Sequence, residues 1–219
     1  SDNLNVDIFN FDDLNHANMK ESTLDSDSTP GHITKSFMRV LTDTVLDSNG
    51  DVSSITNYGL ISYITDPPNN HFNLYSFVEG QTSKLVQTSI TDITGAHTFE
   101  NIVDLLVFDK DNIFVVGNKG TAGSLEGKIL KLSFNTTTKL FTQVGTIQTI
   151  LSTENNILYA KKYIHEYQVG ENTVVDRYII VFYEEGTNAA SGFSFRFYKL
   201  DTTVGGVFVT SPLTKKFEL

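Results

Sequence analysis

Between Ile102 and Ile147 the chain reads IVDLLVFDKDNIFVVGNKGTAGSLEGKILKLSFNTTTKLFTQVGTI, four short apolar runs separated by DKDN, NKGTAGSLEG and NTTTK. Runs of strand length broken repeatedly by Gly and Asn leave no room for amphipathic helices. The spacing predicts four strands joined by three tight connections, one antiparallel meander the size of a propeller blade or of one sheet in a sandwich. Within it, Leu130, Leu132 and Phe134 alternate with Ile129, Lys131 and Ser133, the period of a strand with one drier side. Ile113 to Val116 is continuously apolar, as a strand covered on both faces would be, and is expected to lie deeper.

The same texture surrounds this stretch. ITKSFMRVLTDTVL leads into the turn DSNGD, followed by VSSITNYGLISYITD, a PPNN turn, FNLYSFVEG and KLVQTSITDI. After it come ILYAKKYIHEYQVG, a GEN turn, TVVDRYIIVFYEEG, GFSFRFYKLD and GGVFVTS. The turns at Asp47, Asp109 and Glu171 recur about every 62 residues, each followed by a strand rich in Phe or Leu. The expected fold is all-β, built of antiparallel four-stranded meanders and β-propeller-like. Three blade-like units fall at about 32–95, 96–150 and 151–219, and three blades do not close a propeller, so either the N-terminal arm and the segment from His32 supply a fourth or the units belong to a larger propeller. A two-sheet β-sandwich is the alternative. Ile113, Val115, Leu130, Leu132, Phe134, Ile179, Val181, Phe195 and Phe197 are the expected core. Val204 to Thr210 and Ile33 to Leu41 are the expected outer strands, with little charge to blunt them, so at least one is expected to be covered by a partner subunit, by another part of a longer parent chain or by the acidic arm.

Residues 1–31 differ from the rest: they carry seven acids and one lysine, and end in DSDSTPG. They are read as an acidic N-terminal arm preceding the all-β domain at 32–219. The whole chain has a net charge of −10, and its 16 basic residues are not clustered, which argues against a nucleic-acid surface. The absence of cysteine removes disulfides, thiolate metal sites and thiol nucleophiles. No apolar stretch approaches the roughly 20 residues of a membrane-crossing helix, and the opening residues do not resemble a signal peptide.

Chemistry-bearing patterns are few. The histidines His16, His32, His71, His97 and His165 are scattered without ligand spacing, and no phosphate loop or nucleophile elbow occurs. Asp47, Asn49 and Asp51 alternate like the first oxygens of a calcium loop, but the glycine stands at Gly50 and the closing position is Tyr58 rather than Glu. That segment and Asp109–Asp111 are read as Asx-type hairpin turns. Glu184, Glu185 and Asp176 suggest a glycosidase pair, yet adjacent strand residues face opposite ways. Asn135-Thr136-Thr137 is a glycosylation sequon, meaningful only in a eukaryotic secretory route. No catalytic, cofactor-binding or metal-ligating residue is therefore assigned. The expected function is a non-enzymatic binding or structural module, at a cell surface, outside the cell or in a virion, engaging a protein partner or other subunits of an assembly through loops or sheet edges. A glycan is a further candidate ligand. The alternative is a carbohydrate-active enzyme, a glycoside hydrolase or lyase, on the same scaffold.

Overall fold

The computed structural model describes residues 4–9, 20–27, 33–65, 72–78, 86–88, 99, 101–120, 125–151, 155–186, 192–200, 208–209 and 214–217. Among them there is no helix, and the strands pair into antiparallel sheets, none of which closes on itself. The chain divides into two compact units, residues 1–98 with 109–111 and 133–142, and residues 99–108, 112–132 and 143–219.

In the first unit β1 (Leu4–Phe9) pairs with β2 (Lys20–Asp27). β3 (Ile33–Leu46), β4 (Val52–Thr65), β5 (Phe72–Val78) and β6 (Val86–Thr88) form a second sheet in chain order, with β3 on its edge. The turn from β3 to β4 is closed by Asp47. Its Oδ1 accepts from the N–H of Asn49 at 2.8 Å and of Asp51 at 3.0 Å, while Gly50 takes φ 88°, a conformation that favours glycine. Phe37, Leu41, Tyr58 and Leu60 are buried. So is Phe134, whose ring meets Tyr58 edge-on at 5.2 Å and Phe141 at 5.0 Å.

The central stretch forms β7 (Asn101–Asp109), β8 (Asn112–Lys119), β9 (Glu126–Asn135) and β10 (Leu140–Leu151), a meander in the order β10-β9-β8-β7. Ile113 through Asn118 are all buried, as continuous apolarity demands, and the whole of β8 beyond Asn112 is dry until Lys119. On β9 the alternation is less simple than the sequence suggests: Leu130, Leu132 and Phe134 are buried, but so is Ile129, and only Lys131 and Ser133 are half-buried on that side.

β11 (Asn155–Val169), β12 (Asn172–Glu185) and β13 (Phe193–Leu200) make the last sheet, β13 being completed on its far side by β14 (Phe208–Val209) and β15 (Thr214–Phe217). Residues 204–207 and 210 of the expected outer strand lie outside the described residues. One face of this sheet, through Ile157, Ala160, Ile179, Val181, Tyr183, Tyr198 and Leu200, joins Val103, Leu106, Phe114, Val116, Ile129, Ile150 and Leu151 in a single hydrophobic cluster. Phe195 and Phe197 depart from the expected core. Val181 pairs with Arg196 and Ile179 with Tyr198, so the inward positions of β13 are Ser194, Arg196 and Tyr198, and the phenylalanines face the other way, half-buried. The polar inward residues are accommodated because Tyr198 Oη donates to Ile150 O at 2.5 Å, while the Arg196 guanidinium reaches the same carbonyl and lies over the Tyr183 ring.

Asn118 joins β8 to β11. Its Nδ2 donates to Ile157 O at 2.9 Å and its Oδ1 accepts from Ile157 N at 2.8 Å, so one buried side-chain amide satisfies both main-chain groups of one residue. Gly127 leaves the space: a Cβ there would stand 2.8 Å from Ile157 Cδ1 and 2.9 Å from Leu151 Cβ. Asn118→Ala strips two hydrogen bonds from a dry interior and should cost about 2 to 4 kcal/mol in urea denaturation. Phe134→Ala should cost about 3 to 5 kcal/mol. A loss below about 1 kcal/mol at either site would contradict the packing described.

Candidate functional site

The residues singled out for chemistry do not converge. Asp47, Asn49 and Asp51 lie in the β3–β4 turn, with Asp47 engaged by the backbone as above. Asp109 Oδ1 accepts from Asp111 N at 2.9 Å, and Asn135 Oδ1 accepts from Thr137 N and Thr138 N, both at 2.9 Å. These are local turn bonds. Glu185 accepts from Ser194 Oγ at 2.9 Å, while Glu184 stands on the opposite face of β12. Asp176 shares the face of Glu184, but eight residues of strand separate them by about 26 Å, far beyond the reach of a glycosidase pair. His16, His32, His71 and His97 lie outside the described residues. No group of three or more His, Asp or Glu among the described residues could hold a metal ion. A polar cleft of about 360 Å³, lined by Lys110, Asp111, Ser133, Phe134, Asn135, Thr136 and Thr142, contains a single carboxylate.

The feature that stands out is the outer face of the β11–β13 sheet. The register sets Tyr163 opposite Tyr178, His165 opposite Asp176 and Tyr159 opposite Phe182, which in turn faces Phe195. Tyr159, Tyr163, His165, Tyr167, Tyr178, Phe182, Phe193, Phe195 and Phe197 thus share one face, because side chains two residues apart on a strand point the same way. Ring neighbours run along it: Tyr163 to His165 at 6.2 Å, His165 to Tyr167 at 5.0 Å, Phe182 to Phe195 at 4.8 Å and to Phe193 at 5.4 Å. From Lys161 to Thr173, which spans the outer part of β11, the turn and the first two residues of β12, every residue is exposed, and Tyr159, Tyr163 and Tyr167 are 54%, 47% and 37% exposed. The hairpin is closed by Gly170 at φ 64° and Glu171, the two-residue turn whose twist suits antiparallel strands.

A charged knot sits within the aromatics. Lys199 Nζ donates to Asp176 Oδ1 at 2.7 Å, and Tyr178 and Tyr167 hydroxyls donate to Oδ2 at 3.2 and 3.4 Å. The bond from Lys199, its charge and the two hydroxyls outweigh desolvation and hold the Asp176 carboxyl below its ordinary range. The bond to Asp176 raises Lys199, while burial, then the neighbouring carboxylate, raises Tyr178. The period-2 spacing of Tyr163, His165 and Tyr167, and of Phe193, Phe195 and Phe197, was visible in the sequence. That the two ladders share an outer face was not, because it depends on the β11–β12–β13 register.

Comparison with protein-family models, curated proteins and solved structures finds no match for this chain. No helix among the described residues is long and apolar enough to cross a membrane.

Two outcomes are expected. Because the turn aspartates bond to their own backbone, Ca²⁺ or a chelator should leave the melting temperature unchanged. A Ca²⁺-dependent rise of several degrees, abolished by Asp51→Ala, would overturn this. The Asp176–Lys199 pair should contribute below about 1 kcal/mol, since Lys199 is half exposed. Asp176 is depressed, so its contribution is present above the ordinary carboxylate value and fades as pH falls through the lower folded value. Lys199 is raised, so its contribution is present below the ordinary lysine value and is lost as pH rises through the higher folded one. The stability difference between wild type and Lys199→Gln should therefore be flat from about pH 5 to 9 and shrink below about pH 4. A difference that grew in acid would refute the pairing.

Proposed function

We propose that this protein is a non-enzymatic binding or structural module, acting at a cell surface, outside the cell or in a virion, that engages a protein partner or further subunits of an assembly through its sheet surfaces and edges. The observation that carries the reading is the outer face of β11–β13, where the exposed Tyr159, Tyr163 and Tyr167 of β11 are continued by the half-buried Tyr178, Phe182, Phe195 and Phe197 of β12 and β13. Contiguous aromatic surface of this kind is costly to leave in water and supplies large contact area at small cost in side-chain freedom. The net charge of −10 speaks against nucleic acid as the partner. On this reading the meander sheets are blades of a propeller to which this chain contributes a part, with a two-sheet sandwich as the alternative. The simple β10-β9-β8-β7 and β3-β4-β5-β6 orders support either.

A second reading, a carbohydrate-active enzyme, draws on the same aromatic face, since exposed rings beside a carboxylate suit a glycan. The distance from Asp176 to Glu184 weighs against it.

Hydroxyl-radical footprinting distinguishes the two. In an assembly purified from the native source, Tyr159, Tyr163 and Tyr167 should be protected relative to the isolated chain. Equal modification, together with a native mass of one chain, would remove the binding reading. Release of reducing sugar from a polysaccharide panel, lost in Asp176→Asn, would establish the enzymatic one in its place.

A further inference from the structure

β3 is a 14-residue strand at the edge of its sheet, and among the described residues no strand pairs with its outer side. Long edge strands recruit other chains unless they are blunted by proline, bulges or inward charges. β3 has no proline, its pairing with β4 is regular from Lys35 to Val45, with register shifts only at the two ends, and the two charges on its buried face, Arg39 and Asp43, are of opposite sign.

The charges on this strand are arranged antisymmetrically about Leu41. Arg39 stands two residues before it and Asp43 two after, while Lys35 stands six before and the residue six after, Asp47, lies in the turn beyond the strand's end. In an antiparallel pair of identical strands related by a two-fold axis at Leu41, each residue i faces 82 − i, so Arg39 falls opposite Asp43 of the second copy and Asp43 opposite its Arg39. Both charges within two residues of the axis thereby find their opposite. Centring the axis on Arg39 instead would set Arg39 against itself, and a slip of one residue would turn the buried face of one copy outward. β11, the longest of the edge strands, offers one such pair, Lys162 with Glu166, and sets Lys161 opposite Tyr167 in that arrangement.

We infer that β3 is a homotypic docking edge, on which a second copy of this chain adds its own β3 antiparallel about Leu41, fusing two β3–β6 sheets into one. This rests on the reading of the protein as an assembly module and names the partner for one of its edges. The groups concerned already have local contacts: Asp43 accepts from Lys110 at 3.4 Å, Arg39 donates to Met38 O at 2.8 Å and lies over the Phe37 ring. Asp43–Lys110 is a long ion pair between a half-exposed lysine and a carboxylate that keeps 16% of its surface in water, and a carboxylate accepts more than one donor. Met38 and Val40, 61% and 60% exposed on the outward face beside this edge, face Thr44 and Thr42 of the second copy and lose water contact when it docks.

The test is the solution mass of the full chain, followed by a complementary exchange of charge. Wild type should sediment as a dimer that weakens as salt is raised. Arg39→Asp and Asp43→Arg, each alone, place like charges opposite one another and should raise the dissociation constant at least about tenfold. Mixed in equal amounts, the two variants should recover the dimer. One crossing then sets the introduced carboxylate of the first variant against the introduced guanidinium of the second, and the other sets native Asp43 against native Arg39. As a measurement that leaves the charges intact, Val40→Cys in this cysteine-free chain takes one spin label per copy, and the geometry places the two labelled positions about 7 to 8 Å apart, giving strong dipolar broadening. A wild type monomeric at about 100 μM overturns the inference. So does a dimer indifferent to the single substitutions, or an absence of broadening. None of these outcomes bears on protection of Tyr159, Tyr163 and Tyr167, which tests the broader reading separately.

Discussion

The second unit hangs on an amide. Where a strand would ordinarily satisfy its neighbour's main chain, Asn118 does so with its side chain, presenting a donor and an acceptor to the two polar groups of Ile157 in a fully buried site. Aspartate could not donate, leucine would orphan both groups, and glutamine would overreach by a methylene. The contact coincides with the irregularity in β11, whose register against β12 shifts between Ile157 and Tyr159. With Gly127 clearing room for the Ile157 side chain, β11 is held where its inner face completes the hydrophobic cluster and its outer face turns away.

Much of the strand layout was legible because strand-length apolar runs and Asx turns are local signals. ITKSFMRVLTDTVL is β3 residue for residue, the Asp47 turn bonds as its side chain dictates, and the depth of Ile113 to Val116 follows from their unbroken apolarity. What failed was facing. In FSFRFYKL the rule that apolar residues point inward chooses the phenylalanines, but register against Ile179 and Val181 chooses Ser194, Arg196 and Tyr198. Asn118, in a segment read as a turn, is among the driest residues of the chain. Both misreadings arise from partners remote in sequence, the Ile150 carbonyl for Tyr198 and the Ile157 main chain for Asn118, which no local pattern encodes.

The same remoteness hid the candidate site. Each aromatic ladder, on β11 and on β13, is an ordinary feature of a strand by itself, since rings suit a pleated surface. They become one surface only when β12 is laid between them with Tyr178 and Phe182 in step. The sheet then has two unlike sides. The inner one tolerates a guanidinium and a phenol because a carbonyl awaits them, and the outer one gathers rings around the Asp176–Lys199 pair. No polarity scale would assign the sides that way round.

The β11–β12 hairpin also sets a clock. Its pairing runs from Val169 opposite Asn172 outward to Asn155 opposite Glu185, so each bond can form next to one already made, starting from a two-residue turn. Hairpins of this kind close in microseconds, whereas the contacts that cover the inner face must wait for strands from Val103 to Leu151. During refolding the aromatic ladder is therefore assembled while the opposite face of the same hairpin is still uncovered. A nascent sheet sticky on both sides makes the yield of native protein fall as chain concentration rises, a kinetic hazard written into the order in which the strands can meet.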